Sequence, residues 1–289
     1  MNYLWHILNI VGIYAILAAS LNLVAGYTGL LSLCHAAFYG LGAYITTLLM
    51  VGAGLNFFWA LGCAILLTAV SSLLISAPSL RLRGDYFVLA TLGFQIIVFS
   101  ILYNWVGLTR GPYGIAGIPA PRVFGFEVDS VPRFFVFTTL VGGATLGLVW
   151  LIAESPFGRV LRAIRDDELA AAALGKNVTT LKTTAFVLAA CLAAIPGGLF
   201  AAYMRYIDPT SFTLTESIFI VSMVVIGGAG SFAGPLAGAA VMVLVPEALR
   251  FLQIPDSVAA NLRQVVYGLL LIVLMRMRSR GLMGEYDFE

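Results

Sequence analysis

The 289-residue sequence is 61% hydrophobic and only 10% charged, with a formal net charge of +2. Soluble domains carry about 25% charged residues, so this chain cannot coat a water-facing globule. A charge of +2 is also too small to argue for nucleic acid, and the placement of the 16 basic residues matters more than their sum.

The chain opens MNYLWHILNI, with no Lys or Arg before its apolar run. A cleavable signal peptide wants a positive n-region and a short apolar core. The run from Leu4 to Ala25 is instead expected to be a membrane helix that stays. A helix crossing the ~30 Å hydrocarbon core needs roughly 20 apolar residues. By that measure the sequence predicts spans over 4–25, 33–51, 57–77, 86–106, 134–153, 184–204 and 260–276. The span 33–51 carries His35 and several glycines but is still mostly apolar. The stretch 217–250 is too long for one pass and is interrupted by GGAGSFAGP at 227–235, so it reads as two shorter helices, 217–228 and 235–250. The expected fold is an all-α polytopic bundle of nine spans. Trp5, Trp59, Trp105 and Trp150 sit near predicted helix ends, where amphipathic rings anchor to headgroups; this is a structural belt rather than a nucleobase platform. Cys34, Cys63 and Cys191 lie in apolar runs without CxxC spacing, which argues for small buried hydrophobes and against a disulfide framework or zinc site.

Charge placement orients the bundle. Arg81 and Arg83 follow the third span, Arg159, Arg162, Arg165, Lys176 and Lys182 follow the fifth, and Arg276, Arg278 and Arg280 follow the last. The positive-inside rule places all three clusters in the cytoplasm. That puts the N-terminus outside and the C-terminus inside, which requires an odd number of spans and favours the split at 227–235. The remaining Arg110, Arg122, Arg133, Arg205, Arg250 and Arg263 then lie outside or at the outer interface. The longest polar segments, an outer loop at 107–133 and a cytoplasmic loop at 155–182, are too short to fold alone, so residues 1–289 are expected to form a single transmembrane domain. No GxxxxGK[ST] occurs, so any ATP hydrolysis must come from a partner.

Four polar groups, Asn22, Ser32, His35 and Gln95, fall at membrane depth. Such groups are costly in lipid and face the bundle interior. They either bond between helices or line a path for a zwitterionic solute. Gly26 and Gly29 in GYTGLLS, and Gly227, Gly228, Gly230, Gly234 and Pro235 in GGAGSFAGP, mark two helix breaks. Backbone freed at membrane depth must be buried in protein or line a wet cavity. The two breaks are expected to approach each other near the cytoplasmic side.

The loop SPFGRVLRAIRDDELAAAALGKNVTTLK, 155–182, carries the most information. Ser155 followed by Pro156 is a helix start, and Gly175 is a natural stop. Arg162 and Asp166 are four apart, Arg165 and Glu168 three apart, which suits ion pairs along one helix. Glu168, Ala171, Ala172 and Gly175 would share a small, smooth face. The residues alone fit either a solvated loop helix or a docking element. Glu216 and Glu247 lie near predicted span ends, and no predicted span has a carboxylate at its centre. That speaks against an ion-coupled secondary transporter, which tends to hold acidic residues mid-membrane. No His, Asp and Glu cluster of a membrane-embedded enzyme or metal site is present, so no catalytic or metal-ligating residue is assigned.

The form R-A-I-R-x-D-E-x-A-A-x-x-x-G, from Arg162 to Gly175, resembles the branched-chain amino-acid permease family of ATP-binding-cassette importers. Ala170, Ala171 and Gly175 match the A-A-x-x-x-G of its coupling loop, while Leu169 stands where the acidic residue is expected and Glu168 precedes it. GYTGLLSLCHAAFYGLGAY at 26–44, TRGPYGIAGIP at 109–119 and GGAGSFAGPLAG at 227–238 resemble further segments of that family in the expected order. The resemblance implies a permease subunit of a bacterial inner-membrane importer of branched-chain or related amino acids, not an enzyme on its own. It implies as partners a second homologous permease, two ATPase subunits that carry the ATP and Mg, and a soluble substrate-binding protein. Arg162, Arg165, Asp167, Glu168, Ala170, Ala171 and Gly175 would then form the loop that meets the ATPase. Permeases for urea or short-chain amides share the motif set and remain an alternative.

Overall fold

The structure, a computed structural model, describes residues 2–80, 84–123, 125–250, 268–269 and 281–284. All but two residues of the predicted span 260–276 lie outside that set, as do Arg81, Arg83, Arg263, Arg276, Arg278 and Arg280. Among the described residues eleven α-helices follow in chain order: α1 (Asn2–Thr28), α2 (His35–Gly52), α3 (Phe57–Ser79), α4 (Asp85–Asn104), α5 (Val106–Thr109), α6 (Val131–Glu154), α7 (Pro156–Asp166), α8 (Glu168–Ala173), α9 (Val178–Met204), α10 (Leu214–Gly227) and α11 (Ala233–Arg250). Six of them, α1, α2, α3, α4, α6 and α9, are long and apolar enough to cross a membrane; α10 and α11 hold shorter apolar stretches. Each matches a predicted span to within a few residues, because a run of apolar side chains is a local property.

Two layers emerge from how much of each helix is covered. In their most apolar stretches α1, α2 and α9 are 72%, 67% and 72% buried, whereas α3, α4 and α6 are 28% buried. The first three form the centre and the second three offer apolar flanks to the surroundings. Close approach at the centre depends on small residues. A Cβ added to Gly42 of α2 would stand 2.4 Å from the Ala194 carbonyl oxygen of α9, and one on Gly197 of α9 would stand 2.2 Å from the Tyr39 carbonyl oxygen. The two helices touch backbone to backbone.

Loops gather at both ends. At one end, β1 (Ile115–Ala116) pairs antiparallel with β4 (Tyr206–Ile207), tying the segment after α4 to the segment after α9, and β2 (Arg122–Val123) pairs with β3 (Phe126–Glu127). Asn56, which caps α3, reaches the Arg122 carbonyl, and Arg205 reaches the Asp129 carbonyl. At the other end lie α7, α8 and the turn between α10 and α11, and residues 282–283 return there to donate to the Ile226 and Gly227 carbonyls. Trp59 (75% exposed), Trp105 (57%) and Trp150 (50%) project outward near helix ends, as an interfacial belt requires.

Candidate functional site

The polar connection between α6 and α9 folds as predicted at its two ends and differently between them. The Ser155 hydroxyl accepts from the Gly158 N–H and Pro156 takes the first helical position. Gly175 follows α8 with φ +78, the left-handed turn for which glycine has no Cβ penalty. The single helix expected between them is broken at Asp167, whose backbone is extended and whose carboxylate caps α8 by accepting from the Ala170 N–H at 2.9 Å. Asp thus starts a new helix instead of continuing one, because its short side chain satisfies the free N–H groups of a first turn. The break changes the helical phase. Ala171 turns inward onto Ile164 and Val178 rather than sharing an outer face with Glu168, Ala172 and Gly175. What projects is Leu169 (75% exposed) and Leu174 (81% exposed), with Ala170 between them exposed as well.

The expected charge pairs are also replaced. Arg162 donates to the Ala153 carbonyl at 2.9 Å, lies 3.9 Å from Glu154 and stacks over the Tyr27 ring. Arg165 pairs with Asp166 at 2.9 Å, and Glu168 with Lys182 at 2.6 Å. More consequential is the second contact of Arg165: its Nη1 donates at 2.9 Å to the Gly26 carbonyl of α1. The loop is thereby bonded to the glycine region near the end of α1.

That region meets the second glycine segment. Gly26 lies inside α1, and the chain leaves the helix only at Gly29, with φ +71. Likewise Gly227 closes α10, and Gly234 and Pro235 sit in the first turn of α11, where proline's missing N–H is harmless. The breaks are therefore narrower than the sequence suggested, at 29–34 and 228–232. Asn22 clasps the second: its Nδ2 donates to the Ser231 carbonyl at 2.8 Å, and its Oδ1 accepts from the Gly230 N–H at 3.0 Å. A Cβ on Gly26 would stand 2.4 Å from the Gly230 nitrogen. The two glycine segments do approach each other. Asn22→Ala is expected to strand the buried Gly230 N–H, at about 1–3 kcal/mol, and to release the part-buried Ser231 carbonyl at a smaller cost. Thermal unfolding of the detergent-purified protein checks this; an unchanged midpoint would show that other contacts hold the turn.

The remaining polar candidates are also engaged inside the chain. His35 Nε2 and Ser20 Oγ share a hydrogen bond at 2.8 Å, and Ser32 Oγ lies 3.2 Å from Cys34 Sγ. Gln95 donates to the Phe212 carbonyl at 2.8 Å and accepts from the Ser217 hydroxyl at 3.2 Å, while Ser217 accepts from the Ala36 N–H. Asn22, Ser32, His35 and Gln95 are each 1–2% exposed. The geometry gives all four an interhelical or local bonding role.

One residue lies deeper than its place in the sequence suggests. Glu216 is in the first turn of α10, but α10 rises only about 21 Å over its 14 residues, so its start lies well within the bundle. Glu216 Oε1 accepts at 2.6 Å from the hydroxyl of Tyr14, the middle of α1. Glu216 is thus near a helix end, as expected, yet that end stands at mid-bundle depth. Glu247 of α11 is bonded to Tyr3, at the opposite end of α1 from Gly26. Among the described residues no group of three or more His, Cys, Asp or Glu could hold a metal ion.

Comparison with known proteins places this arrangement. A family model described as branched-chain amino acid transport system / permease component matches residues 3–275. The high-affinity branched-chain amino acid transport system permease protein LivM of Salmonella typhimurium is 36% identical over 94% of this chain and 68% of its own length, and LivM of Escherichia coli matches equally well. LivH of Salmonella typhimurium is 26% identical over 96% of this chain and 92% of its own length.

Proposed function

Because the chain belongs to the family of branched-chain amino acid transport system permease components, we propose that it is the multi-pass inner-membrane permease subunit of an ATP-driven importer of branched-chain or related amino acids. Its partners are a second, homologous permease, two ATPase subunits that carry ATP and Mg, and a soluble binding protein that delivers the solute. Both LivM-like and LivH-like relatives match along nearly the whole chain, which supports a permease pair built from related subunits. Nine spans, with the N-terminus outside and the C-terminus inside, fit the basic residues of the 155–182 loop. They fit as well the return of residues 282–283 to the end where that loop lies.

The observation that carries the proposal is the α7–α8 element. It offers two exposed leucines to a partner while Arg165 holds the Gly26 carbonyl of α1, a link through which a push on the loop reaches the clasped glycine turn. A docking event can shift a transport cycle only through such differential contacts. The test is reconstitution of the two permeases with the two ATPase subunits in proteoliposomes, with ATP inside, binding protein outside and radiolabelled leucine as probe. Uptake that requires both ATP and the binding protein is expected. Uptake driven by an ion gradient without ATP would overturn the proposal, and uptake of urea or acetamide in place of leucine would overturn its substrate class.

A further inference from the structure

Glu216 is held by the Tyr14 hydroxyl through Oε1, and among the described residues no partner bonds its second oxygen. The carboxylate stands in the first turn of α10, where free backbone N–H groups and the helix dipole favour its charge. It is partly exposed, and its bond to Tyr14 sets it at the depth of the middle of α1. A charge at that depth does not face hydrocarbon, where it is costly; it faces a bundle interior or a wet path.

A second group points to the same place. Tyr39 of α2 is 1% exposed, with its ring edge-on against Phe212 and tilted against Phe200, yet among the described residues its hydroxyl has no hydrogen-bond partner. Tyr39 stands about one turn along α2 from Ala36, whose N–H donates at 3.0 Å to the hydroxyl of Ser217, the residue after Glu216. A buried donor left unpaired costs about 1–3 kcal/mol, so this unpaired hydroxyl needs a reason.

We propose that Glu216 and Tyr39 form a recognition station for the backbone of an α-amino acid, midway along the solute path. The ammonium group of the solute donates to the free oxygen of Glu216. The hydroxyl of Tyr39 donates to the solute carboxylate, which sits on the same carbon as the ammonium and so cannot stray from it. Tyr14 is a positioning residue that keeps the carboxylate turned toward the path. The station reads the zwitterion and leaves the side chain to other contacts. The proposal rests on the reading of this chain as an amino-acid permease.

The test is leucine uptake by the reconstituted complex with Glu216→Gln, Tyr39→Phe and Glu247→Gln. Glu216→Gln removes the charge but keeps an acceptor for Tyr14, and should lower uptake by about tenfold or more, the loss of one charge-assisted hydrogen bond. Tyr39→Phe should lower uptake several-fold while the purified protein melts no earlier than wild type, because the deleted hydroxyl has no partner to lose. Glu247→Gln, outside the station, should stay within about twofold of wild type, showing that neutralising a tyrosine-bonded glutamate does not by itself stop transport. Uptake within twofold of wild type in Tyr39→Phe overturns the station even if Glu216→Gln fails to assemble. So does an equal loss in Glu247→Gln and Glu216→Gln. A wild-type complex that does not move leucine overturns the amino-acid reading itself and the station with it, whereas variant results against an active wild type bear on the station alone.

Discussion

Gly197→Val is expected to prevent the bundle from forming. A Cβ at Gly197 would stand 2.2 Å from the Tyr39 carbonyl oxygen and 2.8 Å from the Ala43 nitrogen, both backbone atoms of α2. Flexible side chains can swing away from an added group, but a helix backbone cannot. The two central helices would have to part, opening their shared interface along its length. Overpacking of a side-chain core costs about 1–3 kcal/mol. Here the cost is larger, because the clash is with backbone and the reciprocal contact of Gly42 with Ala194 is lost too. Gly147→Val, on the outer helix α6 with nothing among the described residues within 4 Å of its added Cβ, should be nearly silent. Fluorescence-detected size exclusion of the two variants measures the contrast. A monodisperse Gly197→Val protein of wild-type yield would refute the close-contact account.

The double change Leu169→Glu and Leu174→Glu is expected to abolish capture of the ATPase while leaving the permease folded. The two leucines are 75% and 81% exposed, so their replacement removes little packing within the chain. In a complex each would bury an apolar side chain worth about 1.5–3 kcal/mol. Losing both weakens association by about a hundredfold or more. Ala171→Glu is the instructive comparison, because Ala171 is 6% exposed against Ile164 and Val178 and its replacement should unseat α8 itself. Co-purification of the ATPase with each variant, together with thermal unfolding, separates the two effects. An ATPase that still co-purifies with the double variant and drives uptake would show that the partner binds elsewhere.

Legibility followed the range of each interaction. The start of α7 at Ser155–Pro156 and the left-handed stop at Gly175 were readable, since capping and glycine's freedom act over three or four residues. The break at Asp167 is local too, and the Asp-Glu pair before an apolar run was the available signal for a new N-cap. The partners of Arg162 and Arg165 were not readable. The helix-spaced carboxylates were reasonable choices, but the folded chain offered each arginine a carbonyl it could reach with less competition from water.

By itself the sequence determined where the six long apolar helices lie, which residues begin and end the polar loop, that two glycine segments interrupt the helices, and the family to which the chain belongs. These depend on composition and spacing within one turn or one span. Only the tertiary structure decided that Arg165 grips Gly26, that Asn22 clasps Gly230 and Ser231, and that Glu216 rests on Tyr14 in the middle of the bundle. Each of those contacts joins positions more than a hundred residues apart. Position along a short helix does not give depth: α10 begins inside the bundle, so a carboxylate near its end in sequence is near the centre in space. Depth is set by how helices pack against one another, and no local pattern of residues encodes it.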